Sequence, residues 1–111
     1  MHEQAIKGGR FCAGMSFNQK VWALCARLPK GKVTTYSQIA SKLHSRAARA
    51  VGNALNKNPY SPDVPCHRVV GADGALTGFA GGLRKKKRML SDEGVTFVDG
   101  KIDMKRHFVS P

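Results

Sequence analysis

The apolar positions of this chain fall first at helical spacing and later in short extended pairs. Ser16-Phe17-Asn18-Gln19 has the form of a capping box, with serine at the N-cap and glutamine three residues on. Phe17, Val21, Leu24 and Leu28 then recur at helical spacing, and Pro29 with Gly31 ends the run. Trp22 and Cys25 lie on or beside that stripe and read as core. Lys32-Val33-Thr34 is a short extended connector. Thr35-Tyr36-Ser37-Gln38 repeats the capping-box form and opens a second, shorter helix carrying Ile39, Ala40 and Leu43. It puts Tyr36 at the first helical position, where the phenol could face outward. A third helix is expected from near Ser45 to Lys57, with Ala47, Ala50, Val51, Ala54 and Leu55 as its apolar stripe. Its other face presents Arg46, Arg49, Asn53 and Asn56, with small Ala48 and Gly52 beside them.

After Asn58-Pro59 the pattern changes. A loop holding Pro59, Pro62 and Pro65 leads to Val69-Val70, which with Leu76-Thr77 reads as a short hairpin over Asp73-Gly74. Gly78-Phe79-Ala80-Gly81-Gly82 is poor in side chains and lets backbone N–H groups approach a ligand. Leu83 to Asp92 is a fourth helix, with Gly94 as its stop. A second hairpin is expected where Val95–Val98 and Lys101–Met104 flank Asp99-Gly100. Residues 1–14 are polar, glycine-rich and without periodicity, so they read as a flexible leader before one domain, 15–111.

Charge points to a partner. Lysine plus arginine outnumber acids 19 to 7, giving a net charge of +12 over 111 residues. Such an imbalance favours nucleic acid first and an anionic membrane second. No apolar run is long enough to span a bilayer, and no signal-peptide pattern opens the chain. The expectation is a protein that is not secreted and meets no membrane. Cys12, Cys25 and Cys66 are odd in number and widely spaced, which suits a reducing compartment and gives no metal-type pair. The four histidines are equally scattered, so no metal site is expected.

Read with that charge, the third helix gains meaning. Arginines and asparagines flanked by residues without bulk suit a helix lying close to a DNA groove. Two helices joined over Leu43 to Ser45 resemble a helix-turn-helix, and a hairpin after them would be a wing. The fold class is therefore mainly α with short β hairpins, a winged helix-turn-helix. The arginines and lysines of Arg84-Lys85-Lys86-Lys87-Arg88 repel one another along the helix, so this turn reads as phosphate-facing.

The chemistry concentrates in Val64-Pro65-Cys66-His67-Arg68-Val69-Val70. A thiolate is the reactive form of cysteine, and a neighbouring base raises its fraction. Neighbours on an extended chain point to opposite sides, so coupling between Cys66 and His67 would run through a water or a bend. The prolines of the approach restrict the backbone and suit a fixed nucleophile.

Pro65-Cys66-His67-Arg68-Val69 resembles the active-site motif of the O6-alkylguanine-DNA alkyltransferases. The resemblance extends in the same order to Thr34-Thr35-Tyr36-Ser37-Gln38-Ile39-Ala40, to Arg46-Ala47-Ala48-Arg49-Ala50-Val51-Gly52, to Asn58-Pro59, to Gly81-Gly82-Leu83 and to Glu93-Gly94, covering residues 16–95. It implies a monomer without cofactor, cytoplasmic or nuclear, that binds double-stranded DNA from the minor groove and flips an O6-alkylguanine into a pocket. Cys66 would take the alkyl group once, without regeneration. His67 would act as base through a water, with Glu93 orienting it. Tyr36 would turn the target phosphate and donate a proton to guanine, and Asn58 would brace the turn before the active-site segment. Arg49 would fill the gap left by the flipped base, beside Arg46, Asn53 and Gly52 on the DNA. Val69, Phe79, Ala80 and Gly81 would line the substrate pocket, with the carbonyls of Cys66 and Val69 reading the guanine amino group and the Ala80 N–H meeting its oxygen. Two departures stand out: the chain is read as lacking the additional N-terminal domain of many members, and Phe79 stands where tyrosine is frequent. The alkyltransferase-like proteins, which bind alkylated DNA without repairing it, share the short form but typically lack the cysteine. A plain winged-helix regulator would leave Cys66-His67-Arg68 without a purpose.

Overall fold

The first long helix starts where its cap puts it. In a computed structural model, which describes residues 2–77 and 82–111, Gln19 N–H donates to Ser16 Oγ at 3.1 Å and the Gln19 side chain accepts from Ser16 N–H at 2.9 Å. This closed capping box opens a helix at Phe17–Ala26. Residues 1–14, expected as a flexible leader, instead contain a helix at Glu3–Lys7. A helix this short does not stand alone in water. Ile6 is fully buried and Ala5 nearly so in the core under the capped helix, and Arg27 Nε donates to the Gly9 carbonyl at 2.8 Å. Burial of one isoleucine over five residues leaves no periodic signal in sequence. We number these helices α1 (Glu3–Lys7) and α2 (Phe17–Ala26).

The next two helices form the helix-turn-helix. In α3 (Tyr36–Lys42), Thr35 Oγ1 caps Gln38 N–H at 3.1 Å, but the Gln38 side chain donates to Ser110 Oγ, so the box is not closed. α3 ends in a Schellman turn: Ser45 N–H donates to the Ala40 carbonyl and His44 N–H to that of Ser41, with His44 left-handed at φ 56°. α4 runs Ala48–Asn56, starting later than expected, because Ser45 Oγ accepts from Ala47 N–H and keeps 45–47 in the connection. Ala47 consequently stays exposed, and the buried stripe is Val51, Ala54 and Leu55. The Trp22 indole donates to the Ala54 carbonyl at 2.7 Å and pins α2 to α4.

The first expected hairpin does not form. β1 (Thr34–Thr35) and β2 (Val69–Val70) pair in parallel, Thr34 with Val69 and Thr35 with Val70. The reason is burial on both faces: Val69 joins the core of α1–α4, whereas Val70 joins a second core with Val33, Leu90, Val95 and Ile102. A strand covered on both sides reads as a continuous apolar pair, not an alternation. The second hairpin forms as its turn dictates: β3 (Phe97–Val98) and β4 (Lys101–Ile102) pair antiparallel across Asp99 and Gly100, both with positive φ. α5 (Leu83–Asp92) closes on Gly94, at φ 91°, with Val95 N–H donating to the Leu90 carbonyl. α6 (Met104–His107) follows, and its His107 ring ties Gly31 to Thr96. The architecture is mainly helical with small sheets. The segment between the two cores carries Cys66.

Candidate functional site

Cys66 is held by its approach. Asn58 Nδ2 donates to the Val64 carbonyl and its Oδ1 accepts from Tyr60 N–H, both at 2.9 Å, so one amide spans the proline loop. Cys66–Arg68 then forms a single 3-10 turn, with Cys66 N–H on the Val64 carbonyl and Arg68 N–H on that of Pro65. The chain is bent here, not extended. At three residues per turn, its side chains leave in three directions. Cys66 is half-buried against the helical core, while His67 is buried and meets Glu93.

His67 and Arg68 converge on one carboxylate, that of Glu93. His67 Nε2 lies 2.9 Å from Glu93 Oε2. Arg68 forks the same carboxylate, Nε to Oε1 at 2.9 Å and one terminal nitrogen to Oε2 at 2.7 Å, and its other terminal nitrogen donates to the Leu28 carbonyl at 2.7 Å. Burial pushes the Glu93 carboxyl up, but the hydrogen bonds from Arg68 and His67 outweigh it and hold the group below the usual carboxylate range. An ionised carboxylate only accepts, so Nε2 carries the proton and the lone pair of a neutral ring sits on Nδ1. Burial keeps His67 below its ordinary value; Glu93 opposes this, and the charges of Arg68 and Lys86 reinforce it. A neutral imidazole is the form that accepts a proton.

Tyr36 is half-buried; its phenol donates to the Thr77 carbonyl at 3.0 Å, and burial raises it above the ordinary phenol value. Lys86 approaches the same oxygen at 3.4 Å and donates to the carbonyls of Val69 and Thr77 at 2.7 Å. Lys86 is fully buried, and that burial brings it down to about 8, with attraction to Cys66 acting the other way. The Val69 carbonyl is thus already engaged by Lys86, and that of Cys66 by Val69 N–H.

On the other side of Tyr36 an open groove of about 610 Å³ is lined by Tyr36, Ala48, Arg49, Gly52, Asn53, Asn56 and Thr77. Arg49, Asn53 and Asn56 are exposed along α4. Arg46 is not on this face, because it precedes the helix in the connection. A methyl added to Gly52 would meet only the Tyr36 ring, at 3.8 Å, which is ordinary contact. Packing within the protein does not require glycine there. Phe79, Ala80 and Gly81 lie outside the described residues.

Two residues escaped the reading of the sequence. Lys86 belongs to the run expected to face phosphate, yet it stands three and four positions before Met89 and Leu90, on the buried stripe of α5. A lysine on an apolar stripe was the available signal. Arg68 was legible only as part of a motif, since its partner is 25 positions away.

Residues 16–95 match the family model described as "6-O-methylguanine DNA methyltransferase, DNA binding domain". A methylated-DNA–protein-cysteine methyltransferase of Salmonella typhimurium is 48% identical over 82 residues, which is 73% of this chain and 48% of that protein. Its counterpart in Haemophilus influenzae is 39% identical over 87 residues, 78% of this chain and 49% of that protein. The chain therefore spans about half the length of these relatives. The crystal structure of Mycobacterium tuberculosis OGT in complex with DNA superposes with a TM-score of 0.68 at 38% identity, over 81% of this chain and 62% of that one. S. pombe Atl1 in complex with damaged DNA containing O6-carboxymethylguanine gives 0.73 at 31% identity, over 86% of this chain and 95% of that one.

Proposed function

Because the chain belongs to the 6-O-methylguanine DNA methyltransferase family, we propose that it repairs O6-alkylguanine in double-stranded DNA by moving the alkyl group onto Cys66. The observation that carries this reading is Cys66 on a braced turn beside a neutral His67 held by Glu93, with Tyr36, which feels the charge of Cys66, lining the groove of α4.

The groove face of α4 receives the minor groove, with Asn53 and the side-chain-free Gly52 at close approach and Arg46 adding charge from the connection. A target buried in the stack cannot be reached, so the damaged guanine turns out of the helix and Arg49 fills the gap it leaves. His67 Nδ1 takes the Cys66 proton through a water, and Glu93 steadies the resulting imidazolium. The sulfur attacks the alkyl carbon as the C–O bond breaks. The electron pair passes to guanine and is neutralised by a proton from Tyr36, which burial keeps protonated until then. Asn58 keeps the nucleophile in line by fixing the loop before it. Val69 walls the pocket. The product is a thioether, so each molecule reacts once.

Incubation with an oligonucleotide bearing O6-methylguanine is expected to raise the intact mass by one methylene, mapped to Cys66. The likeness to Atl1 over nearly all of that protein favours a second reading, lesion binding without transfer. Tight lesion binding with no adduct would establish it in place of the first.

A further inference from the structure

The fork of Arg68 on Glu93 has no part in the chemistry just described, yet it takes both oxygens of the carboxylate that faces His67. A bare carboxylate in hydrogen-bond contact with a buried histidine favours the imidazolium, which has no lone pair to offer a thiol. Yet the same carboxylate is what fixes the ring and its tautomer. The two demands conflict unless the negative charge is balanced from a direction that leaves the His67 contact intact. Arg68 does this. Its planar guanidinium matches the carboxylate bidentately, remains charged at any working pH, and is anchored by its third contact, the Leu28 carbonyl.

We propose that Arg68 is a positioning residue that neutralises Glu93, so that Glu93 orients His67 without drawing a proton onto the ring, leaving Nδ1 available to Cys66. The other charged group near His67 is Lys86 of α5, which also disfavours the imidazolium. α2 brings only the buried Cys25, whose thiol is kept neutral by burial. A purely mechanical role for Arg68, tying the end of α2 to the end of α5, would leave the ionisation of His67 unchanged.

The use made of His67 rests on the transfer reading, but the test does not. The His67 ring is titrated by NMR in DNA-free protein, for the parent, Arg68→Met, Arg68→Lys and the double variant Arg68→Met/Glu93→Gln. Arg68→Met is expected to move the His67 midpoint to higher pH, and the acid limb of the transfer rate should follow it. The double variant should bring the midpoint back down, because no carboxylate remains to attract the proton. Arg68→Lys, which keeps a charge without the fork, should fall between parent and Arg68→Met, and it carries the measurement if Arg68→Met does not fold. A midpoint that stays put or falls in a folded Arg68 variant overturns the proposal, whatever the transfer activity. A midpoint that rises in a protein giving no adduct upholds the clamp and sinks the transfer reading.

Discussion

Arg49 and Lys86 stand on either side of Tyr36, and the fold treats the two cations in opposite ways. Arg49 is exposed on α4 with no carboxylate within ion-pair distance among the described residues. Lys86 is sealed from solvent and held by the carbonyls of Val69 and Thr77 and the Tyr36 oxygen. The same division runs through the site. On the inner side Arg68, Glu93 and His67 satisfy one another; burial lowers the pKa of His67, and at Glu93 contact outweighs burial and lowers it too. On the groove side Arg49, Asn53 and Asn56 lie open. A net charge of +12 therefore does not describe one uniform basic surface. Among the described residues, the charges around His67 are buried or half-buried and held by partners, whereas Arg49 on α4 is exposed.

Breaking the inner side should cost the most. Cys66→Ala is expected to abolish adduct formation while lesion affinity stays within about twofold, as measured by intact mass and fluorescence anisotropy; adduct formation by this variant would remove Cys66 from the chemistry. Lys86→Met comes next. Transfer should fall on the order of tenfold, because Tyr36 and the Val69 carbonyl lose a common anchor. Lys86 also gives a signature in stability. Its folded value of about 8 lies below the ordinary 10.5. Between those values the unfolded chain binds the extra proton, so stability rises with pH across that window, by about 1.4 kcal/mol per unit at most, and the rise is complete above it. Denaturant unfolding at about pH 7.5 and about pH 10 should show this increment in the parent and lose it in Lys86→Met. Equal increments in both would mean that Lys86 is not held as a buried cation.

These inner features were the least legible part of the chain. The capping box of α2, the Thr35 cap of α3, the helix Leu83–Asp92, its glycine stop and the hairpin over Asp99-Gly100 all follow local rules and are readable from neighbours alone. The α1 helix, the parallel pairing of Val69-Val70 and the burial of Lys86 depend on partners far along the chain. Val70, for example, is covered by Leu90, Val95 and Ile102, and nothing within a few residues of it says so. Within the candidate site, Cys66 and His67 stand out by their adjacency, and Glu93 only through the family resemblance. The geometry adds the reason they adjoin: a 3-10 turn that aims His67 and Arg68 at one carboxylate.

On the groove side the effects should be smaller and confined to DNA. Holding a base outside the stack costs a few kcal/mol. Arg49→Ala should accordingly slow transfer roughly tenfold or more, with the melting temperature unchanged because the side chain is exposed. An unaltered rate would refute the gap-filling role. The outward residues of α5, Arg84, Lys85, Lys87 and Arg88, are exposed and offer a graded version of this test. Replacing all four by alanine should flatten the salt dependence of DNA affinity if they meet phosphates. An unchanged slope would assign them to solvent.

The smallest effect is the most discriminating, because its sign differs between free and bound protein. Glycine within a helix costs about 1 kcal/mol relative to alanine. At Gly52 the protein gains nothing for this cost, since a methyl would rest against the Tyr36 ring at ordinary contact distance. Gly52→Ala should therefore leave the free protein as stable as before or more stable by up to about 1 kcal/mol. If α4 lies against DNA at this point, the same methyl stands where the backbone must approach, and affinity should drop severalfold. Thermal unfolding and anisotropy on one variant measure both quantities. A gain in stability with undiminished affinity would mean that the duplex does not approach α4 at Gly52, and the groove face would then have to be sought along Arg49, Asn53 and Asn56 alone.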